Sequence, residues 1–136
     1  MSIDSIEFIN VAQKNLEQNK SEIGCRTAVS RAYYGMYHSC IELTGPVPKH
    51  HPLNGVLKGG SHSRLAQYMT ECAELISPEK QMEVRKLGVK LKMYHKYRCD
   101  ADYELNKSVT QKSAEIVISE SRNLVSCVNS VKSSVV

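Results

Sequence analysis

Apolar side chains recur at steps of three or four residues along nearly the whole chain, and this spacing constrains the fold most strongly. Residues at such steps lie on one face of an α-helix, whereas residues of a half-buried strand alternate at every second position. The first segment shows the helical spacing in Ile9, Ala12 and Leu16, and the last shows it from Val117 to Val131. No segment shows the alternation typical of a strand. We therefore predict an all-α protein.

The spacing predicts five helices. Ser21, followed by Glu22, marks the start of the second helix, and Gly45 with Pro46 marks its end. Pro78 is well placed in the first turn of the fourth helix. The predicted segments run over about 4–19, 22–44, 61–77, 78–105 and 110–131, with a frayed tail at about 132–136. Short connections favour antiparallel neighbours, so we predict an antiparallel bundle of four to five helices in a single domain spanning 1–136.

One long loop, at about 44–60 between helices two and three, interrupts this pattern. The segment holds three of the four prolines and four of the seven glycines, residues that punctuate helices and strands. Loops of this length in compact domains are often functional or mobile. His50 and His51, with His62 at the far end, raise the question of a metal site. Because no Cys or acidic residue stands beside them at a ligand spacing, we interpret them as incidental and predict no metal and no cofactor.

The composition is that of an ordinary globular protein. The chain has 136 residues, of which 41% are hydrophobic and 24% charged, enough to form a core without metal or disulfide support. A net charge of +4 is compatible with nucleic-acid binding but does not indicate it. The five cysteines form no CxxC pair, which fits reduced thiols. Since neither a membrane-spanning segment nor a signal peptide is evident, we expect a cytoplasmic protein with no membrane contact.

Four polar or aromatic residues share one face of helix two. Arg31, Tyr34, His38 and Glu42 follow one another at steps of three, four and four residues, so they lie opposite the Ala and Met residues that face the core. Arg31 and His38 are roughly 10 Å apart along the helix axis, and one phosphodiester could contact both. Arginine binds phosphate in a fork and histidine moves protons near neutral pH. A solvated or interfacial polar face is the alternative interpretation.

Arg98 interrupts the apolar face of helix four. A buried arginine needs an acidic partner or an anionic ligand. Asp102 lies one turn later on the same helix and could pair with Arg98, or it could reach Arg31 across the bundle. The first arrangement would be a structural ion pair that fixes how the helices pack.

Helix four also carries a local excess of positive charge, because Lys and Arg far outnumber the two Glu residues between 78 and 98. Lys86 and Lys90 are four residues apart, as are Lys92 and Lys96, so the charge covers two sides of the helix. These residues could contact a phosphate backbone or remain solvated. The sequence leaves both interpretations open.

Tyrosine supplies seven of the eight aromatic residues. Six of the seven lie on helices two and four, which also hold Arg31, His38, Arg98 and Asp102. Buried tyrosine hydroxyls need hydrogen-bond partners. We therefore predict a polar seam between these two helices.

Two separated segments, AVSRAYYGMYH at 28–38 and RCDADY at 98–103, resemble motifs of the HEPN superfamily of small helical proteins. The similarity is to the branch whose second helix reads like SRAYYAMFHAA and whose fourth helix carries R-x-x-A-D-Y. Residues 61–65 resemble that branch's entry to its third helix. The likeness spans about 5–130, with the motifs in the expected order.

The resemblance implies a helical bundle, usually a homodimer, that acts as a toxin or defence effector or accompanies a nucleotidyltransferase antitoxin. Many members cleave RNA without a metal, using an arginine and a histidine. Here that implies Arg31 and His38 as the catalytic pair. In the characterised ribonucleases the pair lies late in the bundle, where this chain has Arg98 and Tyr103.

Three functions follow as hypotheses. In the first, the protein is a metal-independent endoribonuclease in which His38 is the general base, Arg31 or Arg98 stabilises the phosphorane, and dimerisation brings two such sets into one cleft. Tyr34 and Tyr103 would donate hydrogen bonds or stack on a base, and Asp102 would support Arg98. In the second, the same residues bind a nucleotide or partner protein without chemistry. In the third, the chain is a purely structural dimerising bundle.

Overall fold

The computed structural model describes residues 4–51, 55–57 and 59–133, and most of these residues are helical. The helices are α1 (Ser5–Gln18), α2 (Glu22–Thr44), α3 (Ser61–Glu71), α4 (Ala73–Ile76), α5 (Gln81–Tyr103) and α6 (Gln111–Ser133). This confirms the predicted all-α fold. The described part of the chain has six helices because the third predicted segment is divided into α3 and α4.

Helices α1 and α5 run antiparallel to α2, whereas α6 runs parallel to it, since Glu22 at the start of α2 accepts from the N–H of Val109 just before α6 and Glu42 near the end of α2 pairs with Lys132 near the end of α6. Along the α2–α5 contact the residue numbers rise on one helix as they fall on the other, since Ser30 contacts Asp102 and Tyr34 contacts Arg98. The same relation holds between α3 and α5, where His62 lies against His95 and Met69 lies against Gly88. The predicted antiparallel packing is therefore confirmed for these pairs of helices.

Small residues let α1 approach α2 closely. A Cβ atom added to Gly35 would lie 2.5 Å from Ile9 and 3.2 Å from the carbonyl oxygen of Ser5, so only glycine fits at this crossing. Around it the predicted apolar faces form one continuous core. The largest fully buried side chains are Tyr33, Ile9, Met36, Leu57, Leu65, Met69, Leu91, Leu124, Val29, Val84, Val117 and Val128. None of the described helices combines the length and apolar character needed to cross a membrane.

The two predicted boundaries between the third and fourth helices are wrong. The third helix does not continue to Ser77, because α3 ends with the N–H of Cys72 bonded to the carbonyl of Tyr68 and a separate short helix follows. Pro78 lies in the bend before α5 rather than in its first turn, and its carbonyl accepts a hydrogen bond from the side chain of Gln81. The helical path is therefore interrupted twice between α3 and α5.

The predicted loop contains a small antiparallel pairing of β1 (His50–His51) with β2 (Gly55–Val56). Leu57 is buried directly after it, and its N–H donates to the carbonyl of Lys49 over 3.0 Å. Residues 52–54 and 58 lie outside the described residues. At the other end of the chain, Lys132 and Ser133 still belong to α6, so the predicted fraying does not begin at 132. The remainder of that predicted tail, 134–136, also lies outside the described residues.

Arg26 joins α2 to the end of α5. Its guanidinium is almost fully buried and donates to the carbonyl oxygens of Ala101 at 2.9 Å and of Asp100 and Glu104 at 3.3 Å each. It also donates to the carbonyl of Lys107 in the following turn. The last carbonyls of a helix have no partner within the helix. Arg26 donates to two of these carbonyls, those of Asp100 and Ala101, and so it stabilises the end of α5.

The substitution Arg26→Met tests this role. It removes donors from several carbonyl groups at a buried helix end, so we expect the free energy of unfolding to fall by about 2–4 kcal/mol. Urea denaturation followed by circular dichroism, at one protein concentration, measures the change. Arg85→Met is the control, because Arg85 is half-buried and its ion pair with Glu74 is long at 3.9 Å. Equal losses in the two variants would contradict the assigned role.

Candidate functional site

Arg98 is the centre of a polar contact between α2 and α5. Its Nη2 donates to the Tyr34 hydroxyl over 3.0 Å, and its Nε lies 2.9 Å from Oδ2 of Asp102 in an ion pair. Ser30 donates to the same carboxylate oxygen over 3.3 Å. Burial lowers the pKa of this guanidinium, but Tyr34 and Asp102 outweigh burial and hold the pKa above its ordinary value. Asp102 thus pairs with Arg98 along α5, and the alternative pairing with Arg31 is not formed.

Arg31 occupies the neighbouring position on α2 and is only partly buried. Its Cζ lies 5.3 Å from the centre of the Tyr34 ring, the same distance as the Cζ of Arg98. Among the described residues, no carboxylate lies within ion-pair distance of Arg31. The face predicted on α2 therefore brings Arg31 and Tyr34 together and leaves the Arg31 guanidinium available to an anion.

His38 lies on the same face of α2 and is surrounded by aromatic rings. Its imidazole stacks on Phe8 of α1, with ring centres 5.0 Å apart and planes at 17°. The Tyr34 ring lies 6.3 Å away and the Tyr37 ring 5.4 Å away. Glu42, placed on this face by its spacing, instead pairs with Lys132 of α6 at 3.7 Å. Arg31, Tyr34 and His38 form what we call the α2 polar face.

His62 extends the cluster onto α3, which corrects its interpretation as an incidental loop residue. Its Nδ1 lies 2.8 Å from the Tyr33 hydroxyl. Burial raises the pKa of Tyr33, so the hydroxyl stays protonated and donates a hydrogen bond to Nδ1. The proton of the neutral imidazole is therefore on Nε2. Burial above all, with the neighbouring His95 and Arg98, lowers the pKa of His62 to about 4. His62 is therefore neutral at pH 7.

His95 was missed by the sequence analysis. Its ring is stacked on that of His62, with centres 4.8 Å apart and planes at 7°, and its Nε2 lies 3.5 Å from the sulfur of Cys99. Burial, followed by the charge of Arg98, lowers its pKa. Both imidazoles line one end of a groove of about 590 Å³ between α3 and α5, with Lys92 beside them.

The tyrosines divide between two places, so the predicted seam accounts for only some of them. Tyr34 bonds to Arg98, and the ring of the exposed Tyr103 lies 5.9 Å from the Cζ of Arg98. In contrast, Tyr94 and Tyr97 contact each other at 5.7 Å on another side of α5. The predicted seam exists, but it is narrower than the tyrosine count indicates.

The positive charge of α5 is partly neutralised. Lys90 pairs with Glu120 at 3.7 Å and Lys96 with Asp100 at 3.3 Å, both at the surface. Lys86 and Lys92 have no carboxylate partner within the described part of the chain. Of these two, only Lys92 lines the groove beside His95.

A spacing signal for His95 exists, because it precedes Arg98 by three residues and so lies on the adjoining part of the same face. His62 and Phe8 carry no comparable signal, since each reaches the cluster from another helix.

In the described residues, no group of three or more His, Cys, Asp and Glu side chains is placed to bind a metal ion. Comparisons with protein-family models, with curated proteins and with solved structures found no significant match to this chain.

The low pKa of His62 makes the stability of the fold sensitive to acid. The unfolded chain holds this histidine at an ordinary pKa of 6.5, against about 4 in the folded chain. Between these values the unfolded state binds more protons, so stability falls as the pH drops from about 6.5 towards 4. We expect His62→Gln, which keeps an acceptor for Tyr33 but does not titrate, to flatten this decline. Melting temperatures of the wild type and of His62→Gln, measured over that pH range, test this expectation. Parallel declines in both proteins would show that His62 is not the group responsible.

Proposed function

We propose that this protein is a HEPN-type, metal-independent endoribonuclease whose catalytic residues are Arg31 and His38. The proposal rests on the two sequence motifs, at 28–38 and 98–103, and on the antiparallel helical bundle in which both motifs meet. It includes a cytoplasmic location, a homodimer, and a toxin–antitoxin or defence role in which a nucleotidyltransferase could serve as antitoxin.

The observation that favours it most is the state of the two arginines. Arg98 is held by Asp102 and Tyr34, and its side chain is only 14% exposed. Arg31 lies against the same tyrosine ring without a carboxylate partner among the described residues. A guanidinium without an acid is the one that can take a phosphate in a fork. In this proposal Arg31, rather than Arg98, binds the phosphate.

The chemistry needs a base for the ribose 2′-hydroxyl and a cation for the phosphate. In this proposal His38 removes the 2′ proton, and the 2′ oxygen attacks the adjacent phosphorus atom. The bond from phosphorus to the 5′ oxygen breaks, and water supplies the proton that this leaving oxygen requires. Arg31 stabilises the negative charge of the phosphorane. The products are a 2′,3′-cyclic phosphate and a free 5′-hydroxyl.

The remaining residues would support this pair. Arg98 and Asp102 fix the hydroxyl end of Tyr34, whose ring face contacts Arg31. Tyr103 is exposed near Arg98 and could stack on an unpaired base. The aromatic rings around His38 exclude water from one side of its imidazole. These residues position the catalytic groups without taking part in proton transfer.

A second candidate, a binding module without chemistry, is favoured by the surroundings of His38. The contacts of His38 within the described residues are with aromatic rings, and no carboxylate or carbonyl orients its imidazole. Catalytic histidines are usually oriented by such a group. In this alternative the α2 polar face binds a nucleotide, an RNA strand or a nucleotidyltransferase partner.

RNA cleavage in the presence of EDTA separates the two candidates. We expect the wild-type protein to cut a single-stranded RNA and to leave 2′,3′-cyclic phosphate ends. His38→Ala and Arg31→Ala should each lower the rate by on the order of 100-fold or more, because each removes one catalytic group. Arg85→Ala is the control, because Arg85 contacts Glu74 and Gln81 and none of the residues of the candidate site. This variant should keep the wild-type rate.

Fluorescence anisotropy with the same RNA completes the test. RNA binding that requires Arg31, together with no cleavage by any variant or by the wild type, would replace the nuclease proposal by the binding module. Equal cleavage by the wild type and His38→Ala would contradict the assigned catalytic pair.

A further inference from the structure

The groove between α3 and α5 takes no part in the proposed cleavage of RNA. Its volume of about 590 Å³ is that of a site for a small organic ligand. His62 and His95 line one end, with Lys92 one turn further along α5, and Gln67 and Glu71 line the α3 side towards the other end. We call this cavity the α3–α5 groove.

Gly88 determines the shape of the groove. A Cβ atom added there would lie 2.8 Å from the side chain of Thr70, 2.9 Å from that of Met69 and 3.1 Å from the carbonyl oxygen of Ala66. The helices α3 and α5 are therefore in direct contact at this point. The groove is a fixed feature of how these two helices pack.

The histidine end of the groove presents hydrogen-bond donors. The Tyr33 hydroxyl occupies Nδ1 of His62, so Nε2–H is the remaining donor of this ring, and Nε2 has no hydrogen-bond partner among the described residues. Lys92 adds an exposed ammonium group that has no carboxylate partner in the described part of the chain. Donors without acceptors favour a ligand that carries an oxyanion.

The same end of the groove is the N-terminus of α3, since His62 is the second residue of that helix. The first N–H groups of a helix have no partner within the helix. The N-cap here is Gly60, which has no side chain to accept from them, and the first bond to its carbonyl is donated by Arg64 over 2.9 Å. These N–H groups add to the donors of the two side chains and favour an anion at the same place.

The charges around His62 are positive. In the described part of the chain, the titratable groups that face this ring are Tyr33, Tyr34, Tyr37 and His38 of α2 and His95 and Arg98 of α5. Burial, with the positive charges of His95, Arg98 and His38, lowers the pKa of His62 to about 4. None of the groups named is a carboxylate. A bound oxyanion would supply the negative charge that this end of the groove lacks.

We propose that the α3–α5 groove binds a small organic phosphate monoester, with its phosphate against His62, His95 and Lys92 and a hydroxyl-bearing body along Gln67 and Glu71. A phosphate offers several acceptors to the converging donors. The amide of Gln67 and the carboxylate of Glu71 are suitable partners for hydroxyl groups. The described residues that line the groove include no Phe, Tyr or Trp, so a sugar-like body fits better than one that must stack.

This site is separate from the α2 polar face, and it does not depend on the proposed nuclease activity. The two sites meet at Tyr37, whose ring centre lies 4.2 Å from that of His62 and 5.4 Å from that of His38. Arg31 does not line the groove. None of the measurements below uses RNA, so a failure of the nuclease proposal would leave their outcome unchanged.

An NMR titration of the wild-type chain at neutral pH is the first test, with sodium chloride keeping the ionic strength constant. We expect inorganic phosphate to shift the ring signals of His62 and His95 and to saturate with a dissociation constant of about 1 mM. Glucose 6-phosphate should bind about tenfold more tightly, because its hydroxyl groups reach Gln67 and Glu71. Shifts that do not saturate by about 50 mM phosphate, or that chloride reproduces, would overturn the proposal. Equal affinities for the two phosphates would show that the hydroxyl-bearing body is wrong.

Variants then locate the bound phosphate. Lys92→Ala removes a charged donor from the groove and should weaken phosphate binding by about tenfold. Lys86→Ala is the matched control, since Lys86 is also an exposed lysine of α5 without a carboxylate partner in the described residues but lies outside the groove. Both Lys86→Ala and Arg31→Ala should keep the wild-type affinity. A loss in Arg31→Ala without one in Lys92→Ala would place the anion on the α2 polar face and overturn the proposal.

The titration of His62 gives an independent readout. Sulfate is the probe, because unlike phosphate it keeps its charge over the range in which this histidine titrates. A dianion beside the ring opposes the positive charges around it, so sulfate should raise the pKa of His62 above about 4. Lys92→Ala should reduce this rise, and circular dichroism at each pH verifies that the chain is folded. A pKa of His62 that sulfate leaves unchanged would overturn the proposal.

Discussion

Two guanidinium groups, those of Arg26 and Arg98, join α2 to α5, and the packing of the rest of the bundle depends on this contact. Arg26 donates hydrogen bonds to the carbonyl groups at the end of α5, and Arg98, about one and a half turns earlier on α5, donates to Tyr34 and pairs with Asp102. A buried guanidinium is costly unless each of its donors is directed at an acceptor. Arg26 directs its donors at carbonyl groups around the end of α5, and Arg98 donates to Tyr34 of α2 and forms an ion pair with Asp102, so both favour the antiparallel pairing of α2 with α5.

The chemistry of the candidate site follows from this placement. Because Arg98 is occupied in joining the helices, the neighbouring Arg31 is the guanidinium without an acid on the α2 polar face. The same contact brings His95 of α5 close to Tyr33 of α2, and its ring stacks on that of His62 of α3. Burial keeps the pKa of His62 low, so an uncharged imidazole lies beside a region rich in arginine. Charged guanidinium groups and an uncharged imidazole thus lie within one cluster.

Helical spacing alone predicted the fold class and most of the core. On α6, every residue of the predicted face, from Ala114 to Val131, is buried. On α5 the prediction was correct through Ala101 and wrong at Leu105, which is exposed beyond the end of the helix. That end is stabilised by Arg26, a residue far away in the sequence, and spacing within α5 contains no information about such a contact. The break at Cys72 likewise has no glycine or proline to mark it.

The candidate site was predicted in part for the same reason. Arg31, Tyr34 and His38 lie on one helix, so their spacing was sufficient to place them together. The ion pair of Arg98 with Asp102 is also local. Phe8 and His62 reach the cluster from α1 and α3, and their positions depend on how those helices are rotated against α2. Spacing predicts which residues share a face, but it does not predict which faces meet.

An NMR titration tests the central claim, that Arg31 and His38 form the ligand-binding face while Arg98 serves the fold. The ligand is a 2′-O-methyl oligoribonucleotide, which lacks the nucleophile and so is bound without being cut. We expect the Nε–H signal of Arg31 and the ring signals of His38 to shift on binding, while those of Arg26 and Arg98 remain in place. A shift at Arg98 with none at Arg31, or no shift at either residue of the pair, would contradict the account.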